Sequence, residues 1–275
     1  MTAAAPQPKR PHPFAVLGNG PDRFAPLRAI SALILREMGS TYGRKPGGYI
    51  WAILEPLGAI ALMAFIFSLV MRHPPIGTSF ILFFATGYPP FQLYSGTAAK
   101  TQGALRYSRP LLAYPRVTWL DAILARFLLN ALTAVTVMCL IWTAILSFAN
   151  THAIIDVVPI LNGLMIALLI GLGVGLVNGV LIGIFPVWGS FWSILSRPLM
   201  LASGVLIMYE SVPEWAQQIL WWNPLIHVTS LVRSGFYATY DAAFVSLSYC
   251  YAVGLTLIAV GLMAMRAWHK TVLEQ

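Results

Sequence analysis

The stretch from residue 210 to 240 reads ESVPEWAQQILWWNPLIHVTSLVRSGFYATY. It interrupts a series of long apolar runs, and it is too polar to span a bilayer yet too apolar to be an ordinary loop. The apolar runs around it indicate only that the chain lives in a membrane. This segment indicates which kind of membrane protein the chain is.

Helix signals divide this segment in two. Ser211 and Glu214 form a Ser-x-x-Glu capping box with Pro213 in the first turn, which predicts the start of a short helix. Asn223 and Pro224 are predicted to end that helix after about ten residues, because proline cannot continue it. A second short helix, from residue 225 to 237, is predicted to follow.

Two placements fit these helices. In the first helix, Trp215, Ile219 and Trp222 fall on one face. Two half-length helices joined at an Asn-Pro break can form a re-entrant hairpin, provided that protein or a water-filled cavity shields it. The alternative is an aromatic belt lying flat on the outer leaflet. Periodicity alone leaves both open.

Composition sets the fold class. The 275 residues are 58% hydrophobic and 9% charged, whereas a soluble domain has about 25% charged residues. The chain is therefore predicted to be an all-α, polytopic membrane protein, because segments that span lipid satisfy their backbone groups as helices. Six transmembrane helices are expected, of which the third and fourth are long enough to tilt or to project from the bilayer. They lie at 49–71, 79–99, 117–148, 154–184, 187–209 and 245–266.

The basic residues indicate orientation. Most of the 17 lysines and arginines, which outweigh the acidic residues by +8, fall in the N-terminal segment, the loop after the second span and the C-terminal tail. Positive segments face the cytoplasm, so both termini are predicted to be cytoplasmic. Contact with anionic lipid or substrate is a possible additional role, and no nucleic-acid partner is predicted. The residues are Lys9, Arg10, Arg23, Arg28, Arg36, Arg44 and Lys45, then Lys100, Arg106, Arg109 and Arg116, then Arg266 and Lys270.

The N-terminal region divides into a tail and a helix. Residues 1–22 carry five prolines and no long apolar run, so they are predicted to be a disordered tail rather than a signal peptide. An amphipathic helix over 24–45 is predicted to lie along the cytoplasmic surface. Glu37 falls at the edge of its apolar stripe and is expected to pair with a nearby arginine. The stripe consists of Leu27, Ile30, Ile34 and Met38.

Glycines in the fourth predicted span recur at a strict spacing of four. Small residues at this spacing allow another helix to approach closely, so they predict a packing face. The pattern does not complete GxGxxG, and no GxxxxGK[ST] occurs in the chain, so a nucleotide site is not predicted. The glycines are Gly171, Gly175, Gly179 and Gly183.

Catalytic and metal-binding patterns are weak in this sequence. Asp121 and Arg126 lie about 140° apart around a helix, and no nucleophile stands beside a base. Glu55 is expected to be a contact between helices. The five histidines fall in separate segments without ligand spacing, so no metal site is predicted.

Two runs carry a resemblance to a known family. They are LILREMGSTYGRKPGGYIWAILEPLG at 33–58 and LIGIFPVWGSFWSILSRPLMLASGVLIMYESVPEWAQQILWWNPLIHVTSLVRSGFY at 181–237. Both resemble the capsular polysaccharide export permeases, the membrane subunits of type-2 ABC (ABC-2) exporters in Gram-negative bacteria. O-antigen exporter permeases share the same order of segments, but the WNPLIH and RSGFY motifs look more like those of the capsule branch.

The resemblance implies an ABC-2 type transmembrane domain over 23–275 in the bacterial inner membrane. It implies a homodimer of this chain with a separate ATPase subunit that holds ATP and magnesium, so no cofactor is expected here. The implied cargo is a lipid-linked, acidic polysaccharide, passed to a periplasmic adaptor and an outer-membrane export channel. An interface helix at 24–45, a coupling loop at 100–116 and re-entrant helices at 211–237 are implied as well.

The expected site residues follow from that resemblance. Basic residues would attract the cargo at entry and aromatic residues would offer surface beyond them. His227 and Arg233 would contact the acidic chain, or would instead hold the hairpin together through local hydrogen bonds. The substrate-path residues are Arg36, Arg44, Lys45, Tyr49, Trp51, Tyr88, Phe91, His227 and Arg233, and the ATPase-coupling residues are Arg106, Tyr107, Arg109 and Arg116.

Three rival functions stay open at this point. They are a permease for a drug or a lipid without sugar, a membrane-embedded glycan-processing enzyme, and a scaffold in an envelope complex. A permease depends on a separate ATPase, whereas an enzyme turns over its substrate alone.

Overall fold

The computed structural model describes residues 25–42, 48–112, 117–148 and 155–274. These residues form ten α-helices and a 3-10 turn at Tyr209–Ser211, which confirms the all-α prediction. The tail predicted at 1–22 lies outside the described residues, as do Arg44, Lys45 and Arg116. The helices are α1 (Ala25–Tyr42), α2 (Gly48–Val70), α3 (Phe80–Gln102), α4 (Ala104–Leu112), α5 (Trp119–Phe148), α6 (Val157–Ile184), α7 (Val187–Ala202), α8 (Glu214–Leu220), α9 (Pro224–Phe236) and α10 (Leu247–Glu274).

Four of these helices, α2, α5, α6 and α10, are long and apolar enough to cross a membrane. The chain is thus a polytopic membrane protein. The second and fifth predicted spans are also helices, α3 and α7, but α3 is more polar than these four and α7 is shorter. The helix predicted over 187–209 ends at Ala202, so α7 has 16 residues and a length of about 24 Å. Gly204, with a φ of 72°, turns the chain away just beyond that end.

The central helix of the bundle is α6. It is the most buried of the four candidate spans, and α3, α9 and α10 pack around it. A second, smaller apolar cluster lies where α4 meets the far end of α6 and the C-terminal half of α10, and it includes Leu105, Leu176 and Met265. The bundle therefore has an α4 end and, opposite it, an end that carries α8.

The glycine face predicted on α6 is confirmed as a packing surface, but it serves two partners. A Cβ atom added at Gly175 would lie 2.6 Å from Thr101 Cβ, and one at Gly171 would lie 2.8 Å from the carbonyl oxygen of Tyr94. Both contacts are with α3. At Gly183 the nearest neighbour is instead Val272 of α10. The glycines thus let α6 approach helices on two sides.

Two adjacent prolines interrupt the hydrogen bonding of α3. Pro89 has no N–H, so the carbonyl of Ala85, four residues earlier, has no intrahelical donor. The indole Nε1–H of Trp142 on α5 donates to that carbonyl over 2.7 Å. A buried carbonyl in a membrane helix needs such a partner, and the bond also joins α3 to α5.

The face of α1 that packs on the protein differs from the predicted stripe. Ile30, Leu33 and Ile34 are half-buried and Glu37 is buried, whereas Met38 is exposed. The face is displaced because Glu37 pairs with Arg126 of α5, with 2.8 Å between Oε1 and Nε. The prediction that Glu37 pairs with an arginine is confirmed, although the partner is distant in sequence.

The capping box predicted before α8 is wrong. Ser211 lies in the 3-10 turn, and the N-cap of α8 is Pro213, without a side-chain hydrogen bond. Gln217 organises this start instead, because its Nε2 donates to the carbonyl of Val212 over 2.7 Å. The helix has seven residues, fewer than predicted. The break at Asn223 is confirmed, since its Oδ1 caps α9 by accepting the N–H of Leu225 over 3.1 Å.

Substituting Gly175 tests the close approach of α3 and α6. We expect Gly175→Ala to destabilise the protein by about 1–3 kcal/mol, because the added methyl group must displace Thr101. Gly96→Ala is the matched control, since a Cβ there would lie 3.8 Å from Asn130, an ordinary contact. Thermal unfolding of the detergent-purified proteins measures the difference, and equal midpoints for the two variants would contradict the packing.

Candidate functional site

A groove of about 440 Å³ lies between α3 and α7. On α7, Gly189, Trp192, Ser193 and Ser196 line it, and these positions share one helical face at spacings of three, four and seven. The groove exists because α7 has no buried residue and stands away from the bundle. The aromatic and polar lining residues are Phe91, Tyr94, Trp192, Gln92, Ser95, Gln102, Ser193 and Ser196.

The lining combines two kinds of chemistry. The aromatic rings offer flat apolar faces on which the CH faces of a sugar can stack. The amides and hydroxyls beside them can both donate and accept hydrogen bonds. None of these lining residues is charged, so the groove can bond the hydroxyl groups of a sugar but offers no counter-charge to its acidic groups.

A second cavity, of about 180 Å³, lies between α2, α3 and α5. Its lining includes Glu55, Gln92 and Asn130. Glu55 was expected to be a contact between helices, and its side chain is exposed toward this cavity. Asn130 is held by donating from Nδ2 to the hydroxyl of Thr97 over 3.1 Å. Because Gln92 lines both cavities, they adjoin across α3.

The end of α7 is bound to α9 by a set of hydrogen bonds that we call the carbonyl clamp. In it, three side chains bind four consecutive carbonyls, which α7 and the turn at Gly204 would otherwise leave unpaired. The bonds run from Asn223 Nδ2 to Ala202 (3.0 Å), from Thr229 Oγ1 to Ser203 (2.7 Å), and from Arg233 Nη1 and Nη2 to Gly204 (2.6 Å) and Val205 (3.0 Å). The clamp therefore fixes the end of α7 to α9.

Arg233 is the largest side chain of the carbonyl clamp, and it is deeply buried. Only 1% of its surface is exposed, and its guanidinium carbon lies 4.2 Å from the centre of the Phe83 ring. Two carbonyls and an aromatic face thus surround the cation on α9. Of the two roles expected for Arg233, these contacts support the one in which it holds the hairpin together.

His227 is also fully buried and bonded at both ring nitrogens. Its Nδ1 accepts the N–H of Ser246 over 3.4 Å, so Nε2 carries the proton and donates to the carbonyl of Trp221 over 2.8 Å. Burial lowers the pKa of His227, although the bond to Trp221 opposes that effect. The neutral ring packs against Trp221, Phe244 and Tyr249. It therefore joins α9 to the end of α8 and to the start of α10.

The coupling loop expected at 100–116 contains α4, a short amphipathic helix. Ala104 and Leu105 are buried in the smaller apolar cluster. The opposite face carries Arg106, Tyr107 and Arg109, all of which are exposed. This arrangement presents two positive charges and an aromatic ring at the α4 end.

The predicted substrate-path residues do not form one cluster. Phe91 lines the groove, whereas His227 and Arg233 are turned into the protein. Only the backbone of Tyr49 is described. Arg36 and Trp51 are exposed on α1 and α2, and Tyr88 is half-buried on α3.

Sequence reasoning missed several residues that matter structurally. The groove residues Tyr94, Ser193 and Ser196 were not predicted, although the spacing of Ser193 and Ser196 with Gly189 was a usable signal of one polar face. The clamp residues Asn223 and Thr229 left no such signal, because their partners are backbone carbonyls elsewhere in the chain.

Comparison with known proteins decides the family. The sequence profile of the ABC-2 type transporter family matches residues 28–237, from α1 to the end of α9. The chain belongs to the ABC-2 type transporter family. The resemblance noted in the sequence is thereby confirmed, and the matched region is a membrane transport domain.

Curated relatives within this transporter family cover nearly the whole chain. The polysialic acid transport protein KpsM of Escherichia coli is 30% identical over 244 residues, 89% of this chain and 95% of that protein. The capsule polysaccharide export inner-membrane protein BexB of Haemophilus influenzae is 27% identical over 248 residues, 90% and 94% of the two chains. The capsule polysaccharide export inner-membrane protein CtrC of Neisseria meningitidis is 26% identical over 248 residues, with the same coverage.

Replacing Arg233 tests the carbonyl clamp in this ABC-2 protein. We expect Arg233→Ala to lower the thermal unfolding midpoint and the yield of monodisperse protein, because each buried carbonyl left unpaired costs about 1–3 kcal/mol. Arg233→Lys should recover only part of the loss, since an ammonium group lacks the planar fork. Arg266→Ala, at an exposed position, is the control. A stable Arg233→Ala protein would show that the clamp is dispensable.

Proposed function

We propose that this chain is the membrane subunit of an ATP-driven exporter that moves a lipid-linked capsular polysaccharide across the bacterial inner membrane. The observation that carries this proposal is the groove between α3 and α7, whose uncharged aromatic and hydroxyl lining suits sugars. The relatives named for capsule polysaccharide export support the same cargo. A membrane-embedded enzyme fits less well, because no carboxylate, imidazole or amine lines the groove.

The exporter is proposed to be a homodimer of this chain with a separate ATPase subunit that binds ATP and magnesium. Each chain would contribute six spans, α2, α3, α5, α6, α7 and α10, with both termini in the cytoplasm. Although α3 is polar for a span, protein buries most of its residues, so it needs little contact with lipid. At 24 Å or so, α7 is short for a bilayer core of about 30 Å, and the segment after Ala202 would complete its crossing.

The segment from 211 to 237 is proposed to combine the two placements that its sequence allowed. Nearly every residue of α9 is buried by protein, which is the condition for a re-entrant helix. On α8 and just after its end, Trp215, Ile219 and Trp222 are 69%, 67% and 68% exposed, which suits the headgroup region of the outer leaflet. In this proposal α8 lies at the interface while α9 enters the protein.

The path of the glycan is proposed to begin at basic residues on the cytoplasmic side, with Arg36 on α1 and, outside the described residues, Arg44 and Lys45. Tyr49, Trp51, Tyr88 and Phe91 would offer aromatic surface beyond them. His227 and Arg233 would set the shape of the exit rather than touch the cargo, because both are enclosed. A periplasmic adaptor and an outer-membrane channel would receive the polysaccharide.

Filling the groove tests the glycan path. We expect Ser193→Trp to reduce surface polysaccharide strongly in cells that carry the variant as their sole copy, because the indole occupies the groove. Ile194→Trp is the matched control, since Ile194 is 69% exposed and lies outside the lining. Both variants should copurify with the ATPase. Equal export by the two variants would place the path elsewhere.

Charge reversal tests the docking of the ATPase on α4. We expect Arg106→Glu with Arg109→Glu to abolish copurification of the ATPase subunit. The two new carboxylates would be repelled by an acidic docking surface on the ATPase, to which the two exposed cations would be attracted. Arg266→Glu with Lys270→Glu makes the same change of charge on exposed residues of α10. Normal copurification and export with the α4 variant would refute this assignment.

A further inference from the structure

A buried cation stands where three elements of the α4 end meet. Arg126, near the start of α5, is only 9% exposed, and so is its partner Glu37 on α1. The other carboxylate close to it along α5, Asp121, is already engaged, because its Oδ2 accepts both the N–H and the hydroxyl of Thr118. Glu37 is therefore the carboxylate that neutralises Arg126 in this part of the chain.

The same guanidinium also contacts the start of α4 and its exposed face. Arg126 Nη1 donates to the carbonyl of Gly103 over 3.2 Å, at the junction of α3 and α4. The centre of the guanidinium lies 4.1 Å from the centre of the Tyr107 ring on α4. One planar group thus binds a carboxylate of α1 at its edge and an aromatic ring of α4 on its face.

The geometry of this junction differs from that of a binding pocket. The cavity between Leu33, Glu37, Tyr107 and Arg126 is only about 10 Å³, which leaves no room for a ligand. A buried ion pair is also a poor means of stabilising a fold, because desolvation offsets most of its attraction. The pair instead couples two helices, because a planar guanidinium that moves with Tyr107 of α4 also displaces Glu37 of α1.

We propose that Arg126 is a positioning residue that transmits movement of α4 to α1 through the junction of Glu37, Arg126 and Tyr107. The inference rests on the proposed function in one respect, that α4 is where the ATPase docks. Displacement of α4 by the ATPase would then change the position of the helix at which the cargo is proposed to enter.

The test measures the response of α1 to nucleotide, without any glycan. A cysteine is introduced by Leu35→Cys on α1, where Leu35 is 69% exposed, in a Cys139→Ser background that removes the exposed native thiol. The rate of thiol labelling is compared with and without ATP in the complex with the ATPase. We expect ATP to change the rate by roughly fivefold or more, the size of a typical coupling between sites.

Variants of the junction should abolish that response. Tyr107→Leu removes the ring face, whereas Tyr107→Phe keeps it and should behave as wild type. Glu37→Gln should abolish the response as well, and the double variant should be no worse than either single one, because both contacts act through Arg126. Copurification of the ATPase and the thermal unfolding midpoint of each complex are measured as well, because Tyr107 lies on the exposed face of α4 and Glu37→Gln leaves the buried Arg126 without its counter-charge.

The possible results separate the two proposals. The proposed transmission from Tyr107 through Arg126 to Glu37 is called the relay. The relay is overturned if the response to ATP survives in Tyr107→Leu or Glu37→Gln. It is also overturned if ATP does not change the labelling rate of the wild-type complex. Loss of the ATPase from the Tyr107→Leu complex would mean that Tyr107 is a direct docking residue, which also overturns the relay. A complex that responds to ATP but exports no polysaccharide would refute the proposed cargo and leave the relay standing.

Discussion

The close approach of α6 to α3 and α10 is the constraint on which the rest of this structure depends. Lipid is as apolar as the helices it surrounds, so association depends on packing rather than on the hydrophobic effect. Glycines such as Gly171 and Gly175 bring backbones within van der Waals distance. With α6 held in this way, α9 packs against it, and its residue Leu176 completes the smaller apolar cluster around Leu105.

A second requirement, that buried backbone groups be bonded, explains most of the polar side chains inside the protein. The indole of Trp142 serves the carbonyl freed by Pro89, and the carbonyl clamp serves the end of α7. Such bonds cost little in a membrane compared with an unpaired carbonyl. They also join helices that are distant in the chain, α3 to α5 and the end of α7 to α9.

Features that depend on local sequence were mostly predicted correctly, whereas the partners of residues that bond over a long distance in the chain were not. The positions of the long helices, the glycine face of α6 and the break at Asn223 all follow from periodicity or from turn chemistry, which act over a few residues. The capping box at Ser211 failed because the N–H of Ser211, which Glu214 would have bonded, donates instead to the carbonyl of Met208 in the 3-10 turn. The arginine that pairs with Glu37 and the carbonyls that bind Arg233 are far away in the chain, and no spacing within the sequence reveals them.

The carbonyl clamp also limits the ways in which α7 can move. At its first turn α7 follows α6 after two residues, and Trp188 donates to Asn178 of α6 over 2.9 Å. At its other end the clamp holds four consecutive carbonyls, from Ala202, the last residue of α7, to Val205, while no residue of α7 is buried. A helix that is fixed at both ends can bend but cannot slide along its axis. Pro198, inside the final turns, removes one hydrogen bond and is where that bending would concentrate.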